Sequence, residues 1–400
     1  MRLIISPAVL LSSLMLASSV AAQTTGDTAS CNINLDPAIV VRSCSAVINA
    51  NPSRNDQVSL ALSNRGVAYE KLGQNERAMA DFDEAIKRDP KNPHVWANRG
   101  NLYMAQGDFE RALADFNQGV ATHPNNGFAF GHRADAYLIH GDPERAIPDY
   151  DEAIKLEPRN FNFFAHRGEA YRVRGDNDRA ILDFNRAIAL NAKYAPAYVD
   201  RGLAYADKSE SDRAIADFDA AIKLDPKSSI AFSRRGEIHE LKGAHDRALA
   251  DLAEAIKLDP NSAATYVSRG NVYQGERQFD RAIADFDRAV AIDPNNAEAY
   301  NNRGTAYASR ENYEHALTDY DQAIKLNPGL PEVFANRGLA LLKMGQFPLA
   351  INDFSKALNK NPKDAHSFYN RGAAKQSMGD QAGADADIAS ARGLDPDVGK

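Results

Sequence analysis

From residue 59 to residue 398 the chain repeats one hydrophobic and polar pattern with a period of 34 and no insertion. Within the copy 93–126, the stretch His94 to Gln106 predicts a helix, Gly107-Asp108 a turn, and Phe109 to about Thr122 a second helix that Pro124 ends. Large apolar residues return at fixed places. One column runs Leu62, Trp96, Phe130, Phe164, Tyr198, Phe232, Tyr266, Tyr300, Phe334 and Phe368, another holds Tyr69, Tyr103, Tyr137 and Tyr171, and a third holds Phe82, Phe116, Phe184 and Phe218. Small residues, led by Gly66 and Ala78, recur between them and allow the two helices to approach closely. Columns present throughout an array read as core packing rather than as a cofactor box.

Arg-Gly marks nine of the ten copies, from Arg65-Gly66 to Arg371-Gly372, with Arg133-Ala134 the variant. An Asp recurs in all ten, from Asp81 to Asp387, and a proline in nine, from Pro90 to Pro396. The predicted units are therefore 59–92, 93–126, 127–160, 161–194, 195–228, 229–262, 263–296, 297–330, 331–364 and 365–398.

The residues ahead of the array carry separate signals. Met1 and Arg2 lead into a mostly apolar stretch from Leu3 to Leu16, then small residues to Ala22. This predicts a signal peptide over 1–22 cleaved after Ala22, an uncleaved anchor being the other reading. Residues 23–58 form a linker and a capping helix over Leu35 to Ala50. The expected location is periplasmic or secreted, with no membrane span in the mature chain. In an oxidising compartment Cys31 and Cys44 read as a disulfide, since a metal site needs three or four ligands and no His or further Cys lies near.

Composition narrows the class. Of 400 residues, 44% are hydrophobic, which excludes a chiefly disordered chain. Lys plus Arg number 47 against 54 Asp plus Glu, a net charge of −7 without a basic run, which argues against nucleic acid. The sequence holds no nucleophile elbow, no paired-histidine zinc helix and no glycine-rich phosphate loop, so it reads as no enzyme, with no catalytic residue, metal or cofactor.

Trp96, Gly100, Tyr103, Ala112, Phe116 and Pro124 stand at the spacing of the tetratricopeptide repeat, and ten copies in register make the resemblance specific. The resemblance implies an all-α fold: a right-handed α-α superhelix, or solenoid, of ten repeats. It further implies that the first helices line an inner groove that binds a protein or an extended peptide. Both ends are atypical, as shielding ends of such arrays are.

The chain departs from the family in carrying Arg where Leu usually precedes the Gly, and Asp where Tyr often precedes the Phe. We expect the two to pair in a semi-buried ladder that sets register, the alternative being two independently solvated charges. The recurring Asp-x-Asp pairs, such as Asp81 with Asp83, read as surface charge. By the resemblance, the column before the Arg is the candidate peptide-binding one: Asn64, Asn98, His132, His166, Asp200, Arg234, Ser268, Asn302, Asn336 and Asn370. It is similar to the asparagine ladder in the superhelix of the O-linked N-acetylglucosamine transferases, and an amide both donates to and accepts from a peptide backbone. Solvated side chains without a ligand are the bland alternative. Copies three and four are the least regular, with Phe128, Phe161 and Phe163 near the repeat starts, His132 and His166 in adjacent copies, and Pro148 inside a second helix. Two functions follow: a non-enzymatic scaffold whose groove binds a protein or peptide, or an adaptor of a cell-envelope enzyme machine acting through its convex face.

Overall fold

The computed structural model describes residues 31–50 and 52–399; the expected signal peptide, residues 1–22, lies outside them. The described chain is all α, with 21 helices and no strand among these residues. It divides into two compact units, up to Leu224 and from Asp225 onward.

The first unit holds α1 (Pro37–Ala50), α2 (Asn55–Lys71), α3 (Asn75–Arg88), α4 (Val95–Ala105), α5 (Phe109–Thr122), α6 (Gly127–Ile139), α7 (Pro143–Leu156), α8 (Phe161–Val173), α9 (Asn177–Leu190), α10 (Ala195–Asp207) and α11 (Ser211–Leu224). The second holds α12 (Ser229–Leu241), α13 (His245–Leu258), α14 (Ala263–Gly275), α15 (Phe279–Ile292), α16 (Ala297–Ser309), α17 (Tyr313–Leu326), α18 (Pro331–Lys343), α19 (Phe347–Lys360), α20 (Ala365–Ser377) and α21 (Gln381–Leu394). Each unit is a helical-repeat solenoid in which helices pair consecutively. The predicted second helix Phe109 to Thr122 is α5. The helix α2 begins at Asn55, ahead of the start of the repeat period at residue 59, because Val58 is buried and extends its apolar face. Pro148 does not interrupt α7, which has the 14 residues of its counterparts.

Two local rules shape each pair. The turn from first to second helix needs one residue in the left-handed region, which glycine supplies without a Cβ penalty, as at Gly107 (φ 77°). Ser209, Arg277 and Glu311 take that place in three copies at φ 61°. Where the helices cross, the aromatic ring lies directly on glycine: a Cβ on Gly100 would stand 2.6 Å from Phe116 Cε1, and one on Gly66 2.5 Å from Phe82 Cε1. Copy four exchanges sizes. Phe163, buried where other copies carry a smaller residue, sits over Gly131, whose added Cβ would meet Phe163 Cε1 at 2.5 Å.

The expected arginine-aspartate ladder is present in all ten copies. Each Arg donates through Nε and Nη2 to both oxygens of the Asp sixteen residues on, at 2.6–2.8 Å. The Asp side chains are 2–11% exposed. A guanidinium and a carboxylate match each other fork to fork in this bidentate geometry, which a Lys ammonium does not reproduce. The aromatic column packs under it, with Arg99 over Trp96 at 5.4 Å and Arg303 over Tyr300 at 5.3 Å.

The Asp-x-Asp reading needs correction. The third guanidinium nitrogen, Nη1, reaches the preceding repeat: Arg99 to Asp83, Arg167 to Asp151, Arg303 to Asp287 and Arg337 to Asp321, at 2.5–2.7 Å. These acids are half-exposed yet paired, because helix positions two apart diverge and the outer one faces the next repeat. Arg65 finds Ser45 Oγ on α1 instead, so α1 serves the first repeat as a lone preceding second helix. For Arg269 the corresponding position is Ala253, which offers no acceptor.

Cys31 and Cys44 are disulfide-bonded, with Cα atoms 4.7 Å apart. The bond ties the segment before α1 to a Cys44 side chain fully buried against Val40, Val47, Ala61 and Ala68. At the far end, Val398 packs on Ala365 and Ala391 and closes the last pair. Among the described residues no helix is long and apolar enough to cross a membrane.

Candidate functional site

The polar column before each Arg lies on the first helices, and most of its members already touch a neighbour. In the first unit, Asn64 Nδ2 donates to the Cys31 carbonyl at 2.9 Å and Asn98 Nδ2 to Ser63 Oγ at 3.0 Å. In the second unit, Arg234 pairs with Glu237 at 2.8 Å and Ser268 donates to the same carboxylate at 3.0 Å. Asn302 Nδ2 donates to Asn271 Oδ1 at 2.9 Å, while its own Oδ1 accepts from Asn301. Asn336 Nδ2 donates to Asn301 Oδ1 at 3.0 Å. Asn370 is half-buried on α20. Asn98, Ser268, Asn302 and Asn336 thus tie successive first helices together, which fixes their side-chain orientation along the face.

His132, His166 and Asp200 gather with residues that sequence reasoning did not single out. His166 Nδ1 lies 2.9 Å from Asp135 Oδ1, and Tyr150 donates its hydroxyl to the same oxygen at 2.6 Å. Burial opposes charge on Asp135, but the His166 imidazole and the two hydrogen bonds hold its carboxyl below the usual range. Burial likewise opposes charge on His166, and Asp135 together with Glu169 and Asp200 outweighs it to keep the imidazole more basic than usual. Glu169 and Asp200 have no such direct partner. Burial, with the Glu169 charge added, pushes Asp200 up to about 7 although Arg172 and His166 pull the other way. Burial raises Glu169 too, against the pull of His166 and Arg172. Arg172 stands 3.6 Å from Asp207. Asp135, Glu169 and Arg172 were missed because only one column was read. The column three positions on, one turn further along the same face, contains Asn101, Asp135, Glu169, Glu237 and Asn271.

The face carries ion pairs and amides, not a nucleophile held by a base and an orienting group. Among the described residues no group of three or more His, Cys, Asp or Glu is placed to hold a metal ion.

Tetratricopeptide repeat profiles match residues 61–127, 132–195 and 199–263, and others match 297–330, 278–309 and 338–379. The chain is a tetratricopeptide repeat protein. Proteins of this repeat family generally mediate protein–protein interactions and bind protein or peptide partners, and their fold is typically non-enzymatic. Nothing among the curated proteins matches the chain. Solved structures do. The Cut9-Hcn1 hetero-tetramer of the APC/C is 14% identical, covers 90% of this repeat protein and 81% of its own chain, and has a TM-score of 0.54. Human IFIT1, solved as a dimer with m7Gppp-AAAA, is 17% identical over 84% of this chain and 90% of that one, with a TM-score of 0.52. A tetratricopeptide repeat protein from Parabacteroides merdae is 21% identical over 65% and 98%, with a TM-score of 0.51. At such identities the likeness is one of fold.

Proposed function

We propose that this tetratricopeptide repeat protein is a non-enzymatic scaffold that holds a protein or an extended peptide along the first-helix column. The observation that carries the reading is the column itself, polar in all ten copies, together with the column one turn further on that places Asn101, Asp135, Glu169, Glu237 and Asn271 on the same face. Amides that donate to the neighbouring helix, as Asn98 and Asn336 do, keep acceptor capacity for peptide N–H groups and lose little entropy on binding. Export to the periplasm or beyond, after removal of 1–22, belongs to the same proposal, and the Cys31–Cys44 bond supports it because structural disulfides persist in oxidising compartments.

The test is site-specific photo-crosslinking in cells. A photoreactive residue is placed at Asn98, Asn336 or Asn370, and in parallel at the exposed second-helix positions Leu182 and Leu349. Partner adducts confined to the first-helix positions are expected. Adducts confined to Leu182 and Leu349 would overturn the groove reading in favour of the convex-face adaptor.

A further inference from the structure

One column of small residues is broken in a single copy. The second helices carry Ala85, Ala153, Ala187, Ala221 and their equivalents through Ala391 where α5 carries Gly119. Gly119, with Ala97 and Ala129 opposite, lines a cavity of about 140 Å³ between α4, α5 and α6. Its walls include His94, Phe116, Phe128 and His132. Phe128 is braced edge-on from outside the cavity by Phe163 at 5.5 Å, and two of the walls, His132 and Phe116, lie parallel at 6.3 Å. Burial lowers the basicity of both imidazoles, against Asp135 in the case of His132, and keeps them neutral around an apolar interior. A space of this size holds one leucine or phenyl side chain.

The surroundings select what stands next to that side chain. Asp135 follows His132 by one turn on α6, and Glu169 and Asp200 occupy the facing positions of α8 and α10. Against these three carboxylates stand His166, bonded to Asp135, and Arg172, paired with Asp207. Negative charge is in surplus. Arg172 Nε, on a side chain only 10% exposed, has no hydrogen-bond partner, a buried donor of the kind that an incoming peptide carbonyl satisfies.

We propose that the inner face of α4, α6, α8 and α10 binds an extended segment that seats an apolar side chain, Leu or Phe in size, in the Gly119 cavity and a Lys or Arg against Glu169 and Asp200. The proposal rests on the scaffold reading and names the partner's chemistry. First helices of adjacent repeats stand roughly 10 Å apart, so the cavity between α4 and α6 lies roughly 20 Å from the pair on α8 and α10; at about 3.3 Å per residue the basic residue follows or precedes the apolar one by about six positions.

Random dodecapeptides displayed on phage are panned on the full oxidised chain, and the enriched sequences are measured by fluorescence anisotropy. Enrichment of an apolar residue with a basic one about six positions away is expected. Gly119→Ala restores the column seen in the other copies, and its Cβ meets Trp96 Cβ at an ordinary 3.7 Å, so the variant folds while the cavity shrinks. It should weaken the selected peptides about fivefold or more, and Glu169→Gln with Asp200→Asn should weaken them by a similar factor and flatten their salt dependence. Selected peptides that lack the pattern, or that bind both variants as they bind the parent, overturn this site and leave the scaffold reading standing. A chain that enriches no peptide overturns the scaffold reading together with it.

Discussion

Breaking the ladder at one rung separates a paired charge from a charge that merely sits on a surface. In the ninth copy, Arg337 donates to Asp353 at 2.6 and 2.8 Å, with the Asp side chain 2% exposed and the Arg 19%. Arg337→Leu strands that carboxylate inside the helix pair. Lys356 Nζ, 3.8 Å away on a half-exposed side chain, replaces neither hydrogen bond well. A loss of about 3–4 kcal/mol is expected. Asp353→Tyr leaves Arg337 with Asp321 at 2.5 Å and with solvent, so the loss should be smaller, about 1–3 kcal/mol. The double variant restores the apolar pair that the repeat family usually carries, and should lie within about 1 kcal/mol of the parent. Urea unfolding followed by far-UV circular dichroism gives the cycle. Because repeat arrays depart from two-state behaviour, amide exchange in α18 and α19 is read alongside it. If the double loss equals the sum of the single losses to within about 0.5 kcal/mol, the pair does not act as a unit and the reasoning fails.

Two further outcomes test the first unit. Between pH 4 and about 7 the folded chain retains a proton at Asp200 that the unfolded chain has released, so local stability falls as pH rises through that window, by up to about 4 kcal/mol. His166, also raised, continues the fall above its ordinary 6.5. Amide protection in α8 and α10 should therefore decline from pH 5 to pH 8, and Asp200→Asn should flatten the decline; protection that rises with pH would refute the assignment. Reducing the Cys31–Cys44 bond should cost about 3 kcal/mol in the chain-entropy account, and exchange should quicken in α1 while α18 to α21 stay protected. Equal protection of α1 in both redox states would show that packing of Cys44 and the bond from Asn64 to the Cys31 carbonyl suffice.

The sequence alone determined the repeat, the helix pairs and the Arg–Asp partners, because each is a local or next-helix relation that ten copies print in register. Helix boundaries such as Phe109 and Thr122 follow from turn and proline chemistry, and the Arg99–Asp115 bond follows from two departures at a constant spacing of sixteen. Tertiary structure decided what depends on contact between different copies. Asp83 reads as a surface charge until Arg99 of the next repeat is seen to reach it. Asn302 and Asn336 read as separate amides until Asn271 and Asn301 are seen to accept from them. Gly119, one glycine among twenty-five, becomes a cavity only when Ala97, Ala129 and Phe128 close around it. Period and spacing are carried along the chain. The charge left unpaired beside Asp200, and the space left unfilled over Gly119, are properties of three helices meeting.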